Sequence, residues 1–334
     1  MWHHSKAQAG EGTAGISQNI QVGVPQAVLA AFGWLTPRTQ VFAAQPGFSG
    51  ALVWKITHQE RSFALKRWPV GQPPYCDLQT IHQLMLQARQ ARLDVVPEVQ
   101  RTIHRDSVLT YGGVLWDACT WQPGQSDSQP SEGRLKSAMA LLSRLHALWR
   151  TQNERRIGVC PAVLLQHRRL DEWADCELGL LNRKIPSTGL FREAMNLFEH
   201  HRTHALQRLA PWLNRRFSLQ PCLGDIWADH VLFEGDDVTG LIDFGGVRYD
   251  HPAQDLARLI GSYSQGNAVR RQLALSYYSP MTSEMEQLSI LLDETGAIVG
   301  LGNWLRWLIL EGRSFADDSR VITRLRQLVS RISQ

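Results

Sequence analysis

The sequence has no apolar run long enough to cross a bilayer. The best stretch, Val22 to Leu35, is only moderately apolar and falls short of the roughly 20 residues a spanning helix needs. Polar and small residues precede it, which is not the basic-then-apolar order of a secretion signal. No Cys-x-x-Cys pair occurs. The cysteines number five (Cys76, Cys119, Cys160, Cys176 and Cys222), an odd count that argues against a disulfide framework or a zinc site and for a reducing compartment. There is also no basic block and no stripe of arginines and aromatics. The 35 basic and 31 acidic residues are spread along the chain and sum to a formal +4, so neither nucleic acid nor membrane is an expected partner. A cytoplasmic enzyme is the plain expectation.

What remains is a chain of 334 residues, 43% hydrophobic and 20% charged. That composition describes a folded protein, and the length exceeds the usual size of a single core, so two lobes are expected. Residues 1–20 are rich in Gly, Ser, Ala and Gln without periodicity and read as a flexible tail. Residues 21–121 carry mostly strand signals. Ala51–Thr57 and Ser62–Trp68 flank a polar turn, and Ser107–Thr110 pairs with Val114–Asp117 across Tyr111-Gly112-Gly113, giving two hairpins. A Gln-rich helix, Leu78–Arg92, lies between them. Composition shifts at the turn-rich stretch Gln122–Pro130, and residues 122–334 are mainly helical, with Leu135, Met139, Leu142, Leu145 and Trp149 on one face. The one clear β interruption there is Val231–Phe233, a turn, and Val238–Phe244. The predicted class is α+β, a small antiparallel sheet lobe followed by a larger helical one.

Two carboxylates stand out. Asp225 sits on a short loop after Pro221 and before the strand Val231–Phe233. A loop carboxylate in a cleft can orient a phosphoryl acceptor's hydroxyl and take its proton late in the transfer; the same residue is equally at home bonding turn amides. Asp243 ends an apolar strand and precedes Phe244-Gly245-Gly246. A hard carboxylate next to flexible backbone suits Mg²⁺ held against nucleotide phosphates, and without such a partner its charge would need another one.

The order Leu223-Gly224-Asp225 through His230, then Ile242-Asp243-Phe244, then Pro252-Ala253-Gln254-Asp255-Leu256-Ala257 resembles the aminoglycoside phosphotransferase and choline kinase group of the protein-kinase-like fold. That group carries a His-x-Asp-x4-Asn loop, an Ile-Asp-Phe hairpin end and a Pro-x-x-Asp-Leu-Ala helix start. The resemblance implies a bilobal kinase-like fold, Asp225 as catalytic base, Asp243 as metal ligand and Asp255 as a buried brace for the loop backbone. It makes Lys66 the strand lysine that holds nucleotide phosphates. A lysine amid apolar neighbours favours an anionic partner, although a snorkelling surface lysine fits too. The loop Pro46-Gly47-Phe48-Ser49-Gly50 would cover the phosphates, with Gly47 and Gly50 admitting backbone amides and Ser49 adding a hydroxyl; a plain turn is the other reading. Cys119-Thr120-Trp121-Gln122 would be the hinge that reads the base.

Three positions depart from the pattern. Leu223 replaces a loop-propping histidine. His230 replaces a metal-binding asparagine, and an imidazole nitrogen suits Mn²⁺ or Zn²⁺ better than Mg²⁺; the neighbouring Asp229 is the alternative oxygen ligand. The Leu78–Arg92 helix has no acid to pair with Lys66, Asp77 at its start being the nearest. His146 reads as a satisfied core histidine. Trp227 either lines an acceptor site or packs. The acids of Leu170–Glu177 either draw a cationic substrate such as an aminosugar or form a solvated helix face. The expected function is transfer of the γ-phosphoryl of ATP or GTP, with Mg²⁺ or Mn²⁺, to a small-molecule hydroxyl. The alternative is a pseudokinase-like module that binds nucleotide or metabolite without turnover.

Overall fold

The computed structural model describes residues 23–44, 50–315 and 317–333. The expected tail, and Gly47 and Ser49 of the glycine loop, lie outside them. A short helix α1 (Gln26–Ala31) precedes β1 (Gln40–Ala43), β2 (Leu52–His58) and β3 (Arg61–Arg67). Helix α2 (Tyr75–Gln90) follows, then β4 (Leu109–Tyr111) and β5 (Val114–Thr120). These strands form one antiparallel sheet in the order β1-β2-β3-β5-β4. Both predicted hairpins are present. The second turns on Gly112 and Gly113, which both have positive φ (63° and 74°), as a two-residue loop matched to strand twist requires.

The remaining chain is mostly helical, as expected: α3 (Glu132–Gln152), α4 (Pro161–Asp171), α5 (Asp175–Lys184), α6 (Leu190–Leu209), α7 (Ala253–Ser264), α8 (Ala268–Ser276), α9 (Ser283–Leu305) and α10 (Asp318–Ile332). Its β content is larger than the sequence suggests. Besides β9 (Val231–Glu234) and β10 (Asp237–Leu241), there are β6 (Gln125–Ser126), β7 (Arg156–Val159), β8 (Arg216–Cys222) and β11 (Arg248–Asp250). Two small sheets result, β10-β9-β6 and β11-β8-β7. The two- and three-residue strands are too short to show a period, and Pro221 inside β8 reads as a breaker in sequence. The expected strand Val238–Phe244 ends early, because Asp243 turns left-handed at φ 62°.

Three apolar clusters hold these elements. One lies between α1 and the sheet (Val28, Trp54, Ile56, Leu65, Trp116). Another joins α4, α6, α9 and α10 (Leu170, Phe198, Leu292, Leu325). The third runs from α2 and Trp68 through α3 to Leu223, Ile226, Phe233 and Phe244. This shared cluster fixes the loop after β8 and the turn after β10 to one packed body, so their carboxylates cannot drift independently. All five cysteines are free thiols; burial pushes those of Cys119 and Cys160 up to about 12, which makes them inert. Among the described residues no helix is long and apolar enough to cross a membrane.

His251, at the entry to α7, is buried and its Nδ1 accepts the Ala253 N–H at 3.2 Å. That nitrogen must be bare to do so. Burial, aided by the neighbouring His146, pulls its pKa from 6.5 to about 4. The unfolded chain therefore binds a proton that the folded one refuses between those values, and stability is complete above pH 6.5 and lost as pH falls toward 4. The linkage is about 3 kcal/mol. Urea midpoints measured from pH 7 to 4 should show this loss, and His251→Asn, whose side-chain oxygen keeps the cap, should reduce it. An unchanged pH slope in the variant would contradict the assignment.

Candidate active site

The site is built on the loop leaving β8. The Asp255 carboxylate, fully buried in the first turn of α7, accepts the backbone N–H of Leu223 at 2.6 Å and of Gly224 at 2.7 Å. His146 of α3 donates from Nε2 to the same carboxylate at 2.9 Å, and the Tyr278 hydroxyl stands 2.8 Å from its Nδ1. A buried carboxylate that accepts from several fixed donors holds those donors in place. Leu223 is buried in the apolar cluster. The loop is thus propped through its backbone and by His146, not by a side chain at position 223. His146 is the satisfied core histidine the sequence suggests, with a positioning task that its helix-face location alone does not disclose.

Gly224 has φ 74°, and a Cβ there would lie 2.2 Å from the Gly246 carbonyl oxygen. A Cβ on Gly246 would meet the Asp225 Cβ at 2.8 Å. The two bare backbones therefore let the Asp225 loop press directly on the turn that carries Asp243. Ser262 of α7 accepts the Ala228 N–H at 3.0 Å and pins the far end of the loop.

The Asp225 side chain is half exposed. Its Oδ1 accepts from Trp227 Nε1 at 2.7 Å and from the Arg258 guanidinium. Burial raises the carboxyl's pKa, but the Arg258 charge, the hydrogen bonds from Arg258 and Trp227, and His230 outweigh it and hold the group below the ordinary carboxylate range. Arg258 also lies over the Trp227 ring, 4.5 Å from its centroid, and Arg324 of α10 lies 4.3 Å from the same centroid. The sequence reading missed both arginines. Arg258 follows Asp255 by one helical step and so faces the same loop, which is a usable signal. Arg324 arrives from the far end of the chain with no local signal at all.

Asp243 faces the sheet lobe. Its Oδ1 accepts from Lys66 Nζ at 3.0 Å and from the Gly245 N–H at 3.4 Å. Burial raises its pKa, but Lys66, His230 and these hydrogen bonds prevail and keep it below the usual range. His230 Nε2 stands 3.9 Å from Asp243 Oδ2, too far for a hydrogen bond, and the buried His230 Nδ1 has no partner among the described residues. Asp229 is exposed, and its charge is felt by Arg324 and Tyr263.

Lys66 has no acidic partner on α2. Asp77 is exposed at the helix start. Lys66 instead stands 3.9 Å from the Trp68 ring centroid. Trp68 Nε1 donates to Asp117 Oδ1 at 2.8 Å, and His82 of α2 lies 2.9 Å from Asp117 Oδ2. Asp117 is the direct cross-strand neighbour of Lys66 in the β3–β5 pair. The helix therefore reaches the lysine through His82, Asp117 and Trp68. Gly50 has φ 75°, a backbone that side chains rarely adopt.

Comparison with known proteins bears on the family and the fold. A family model described as phosphotransferase enzyme family matches residues 43–288. The chain belongs to this phosphotransferase family. No curated protein matches it. Among solved structures, an aminoglycoside phosphotransferase from Alicyclobacillus acidocaldarius is similar at a TM-score of 0.63 and 15% identity, over 95% of this chain and 94% of that one. A spectinomycin phosphotransferase in complex with ADP and spectinomycin gives 0.61 at 10%, over 88% and 92%. Amicoumacin kinase hAmiN, in complex with AMP-PNP, Ca²⁺ and Ami, gives 0.59 at 13%, over 86% and 87%. At such identities the likeness is one of fold, and it is the small sheet lobe with a larger helical lobe of these kinase-like enzymes.

Asp255→Asn would turn a carboxylate that accepts three N–H groups into a side chain with one accepting atom. It should lower stability by about 3 kcal/mol in urea unfolding. An unchanged midpoint would mean that the loop is held some other way.

Proposed function

We propose that this family member transfers the γ-phosphoryl group of ATP or GTP to a hydroxyl of a small molecule, with Asp225 as the catalytic base. The observation that carries this reading is the junction at Gly246, where the loop bearing Asp225 and the turn bearing Asp243 meet backbone to side chain, with Lys66 already on Asp243. Phosphoryl transfer needs positioning and charge placement more than covalent chemistry, and this arrangement supplies both.

Asp225 has both its donors on Oδ1, which leaves Oδ2 to accept the hydrogen of the incoming hydroxyl. Its depressed pKa suits a group that orients the hydroxyl first and takes the proton late. The acceptor oxygen bonds to the γ-phosphorus as the bond to the β-phosphate oxygen breaks. The proton passes to Asp225, and the nucleoside diphosphate leaves. Lys66, pre-placed on the β3 strand, moves its charge from Asp243 onto the nucleotide phosphates. By the sequence pattern, Gly47, Ser49 and Gly50 are assigned to the cover over those phosphates.

The residues present fit a divalent cation. Asp243 Oδ2 and His230 Nε2 face each other beyond hydrogen-bond reach, so one ion can sit between them, and the carboxylate is ionised. Asp243 and His230 would hold the ion, Mg²⁺ or, given the imidazole, Mn²⁺. When bound it supplies positive charge to the phosphates. A module that binds nucleotide without turnover remains the second reading, motivated by His230 and by the lack of an acid on α2 to pair with Lys66.

Incubation with ATP and Mg²⁺ or Mn²⁺ over a broad panel of hydroxyl acceptors tests the choice. Asp225→Asn should reduce kcat about 10³-fold while nucleotide binding persists. Asp243→Asn should abolish the metal-dependent part of nucleotide-induced thermal stabilisation, and His230→Ala should shift preference away from Mn²⁺. No turnover on any acceptor, with nucleotide stabilisation independent of metal, would favour the binding module instead.

A further inference from the structure

The acceptor side of Asp225 carries the opposite charge from the one an aminosugar would require. Two of the acids in Leu170–Glu177 are paired: Glu172 with Arg168 at 3.5 Å, and Glu177 with Arg306 at 3.0 Å while capping the Ala174 N–H. Next to Asp225 stand two guanidinium groups on one indole, Arg258 and Arg324 over Trp227. Arg258 is partly used by Asp225, but its buried Nε has no partner among the described residues.

Arg324 is less satisfied. Among the described residues its one hydrogen bond is a long 3.4 Å contact to Gln327 Oε1, one turn away on the same helix, and no carboxylate of theirs lies within ion-pair distance of it. Burial pulls its pKa down, with only the distant charges of Asp229 and Asp225 opposing. A half-buried guanidinium that can neither deprotonate nor find a counter-ion is costly. A planar donor fork beside an aromatic face is also the usual means of gripping a carboxylate or phosphate.

We propose that the phosphoryl acceptor carries an anionic group, a carboxylate or a phosphate ester, close to the hydroxyl that is phosphorylated, and that Arg324 and Arg258 bind that group against Trp227. This rests on the reading of Asp225 as the base that receives the acceptor hydroxyl. The geometry adds a consequence. With no acceptor present, Arg258 occupies Asp225 Oδ1; an acceptor anion competes for the guanidinium and loosens its hold on the carboxylate. Neutral and cationic acceptors lack that competitor and meet a base still paired, and cationic ones meet two like charges besides.

The test uses the full chain with ATP and Mg²⁺ or Mn²⁺ on matched acceptors: glucuronate, glucose 6-phosphate, glucose and glucosamine, and glycerate, 3-phosphoglycerate and glycerol. Turnover should favour the carboxylate or the phosphate members, and which of the two wins names the anion. Arg324→Gln should raise KM for the preferred anion at least tenfold with the nucleotide KM unchanged, and Arg324→Lys, which keeps the charge, should restore part of the loss. Isothermal titration of the same anions in the presence of AMP-PNP should show binding that Arg324→Gln removes. A preference for glucosamine, an anion KM indifferent to Arg324→Gln, or no anion binding at all would overturn the proposal. Arg324-dependent anion binding without phosphotransfer to any member would sink the catalytic reading and the acceptor role with it, and leave only the anion site at Arg324 and Arg258 standing.

Discussion

The Asp255 carboxylate, sealed beneath the loop after β8, is the interaction on which the rest of the site depends. It accepts two consecutive backbone N–H groups and a histidine N–H, all from fixed elements. A buried ion with fewer partners would cost more than it returns, and fewer partners would leave the loop free to turn. Because Leu223 and Gly224 are held, Asp225 projects at a set angle. Because Gly224 and Gly246 lack side chains, the turn bearing Asp243 can press against the same loop. One carboxylate thus orients two others without touching either.

The second constraint is the charge of Lys66. Because Asp77, the one acid of α2, is exposed and does not reach it, the ammonium rests between Asp243 and the face of Trp68, and Asp117 ties Trp68 to His82 on α2. The helix is coupled to the lysine by a hydrogen-bonded relay in place of a single ion pair. Such a relay fixes Trp68, whose ring closes over Gly245, so the position of α2 is transmitted to the turn that presents Asp243. The departure seen in sequence is therefore a different wiring of the same contact between helix and strand.

Much of this was legible from residues alone. The hairpins around His58–Arg61 and Gly112-Gly113 follow from alternation and turn chemistry, and the motif order through Asp225, Asp243 and Asp255 located the loop, the turn and the brace. What was not legible depends on distance in sequence. The strands β6, β7 and β11 exist only because partners elsewhere supply their hydrogen bonds, and Pro221 hid β8. Asp117, His82 and Trp68 read as ordinary members of their elements until the sheet and helix bring them together. Arg324 lies on an amphipathic helix whose apolar face is plain, but nothing local says that its polar edge meets Trp227. The acids of Leu170–Glu177 suggest a cation in sequence, but Glu172 pairs with Arg168 one turn before it and Glu177 with Arg306, which directly follows α9 and has no local signal.

The most direct measurement is a structure of the protein soaked with AMP-PNP and Mn²⁺. An ion is expected within coordination distance of Asp243 Oδ2 and His230 Nε2, with Lys66 transferred to the phosphates and the γ-phosphate facing Asp225. An ion bound away from both residues, or a nucleotide whose γ-phosphate points away from Asp225, would contradict the proposed site.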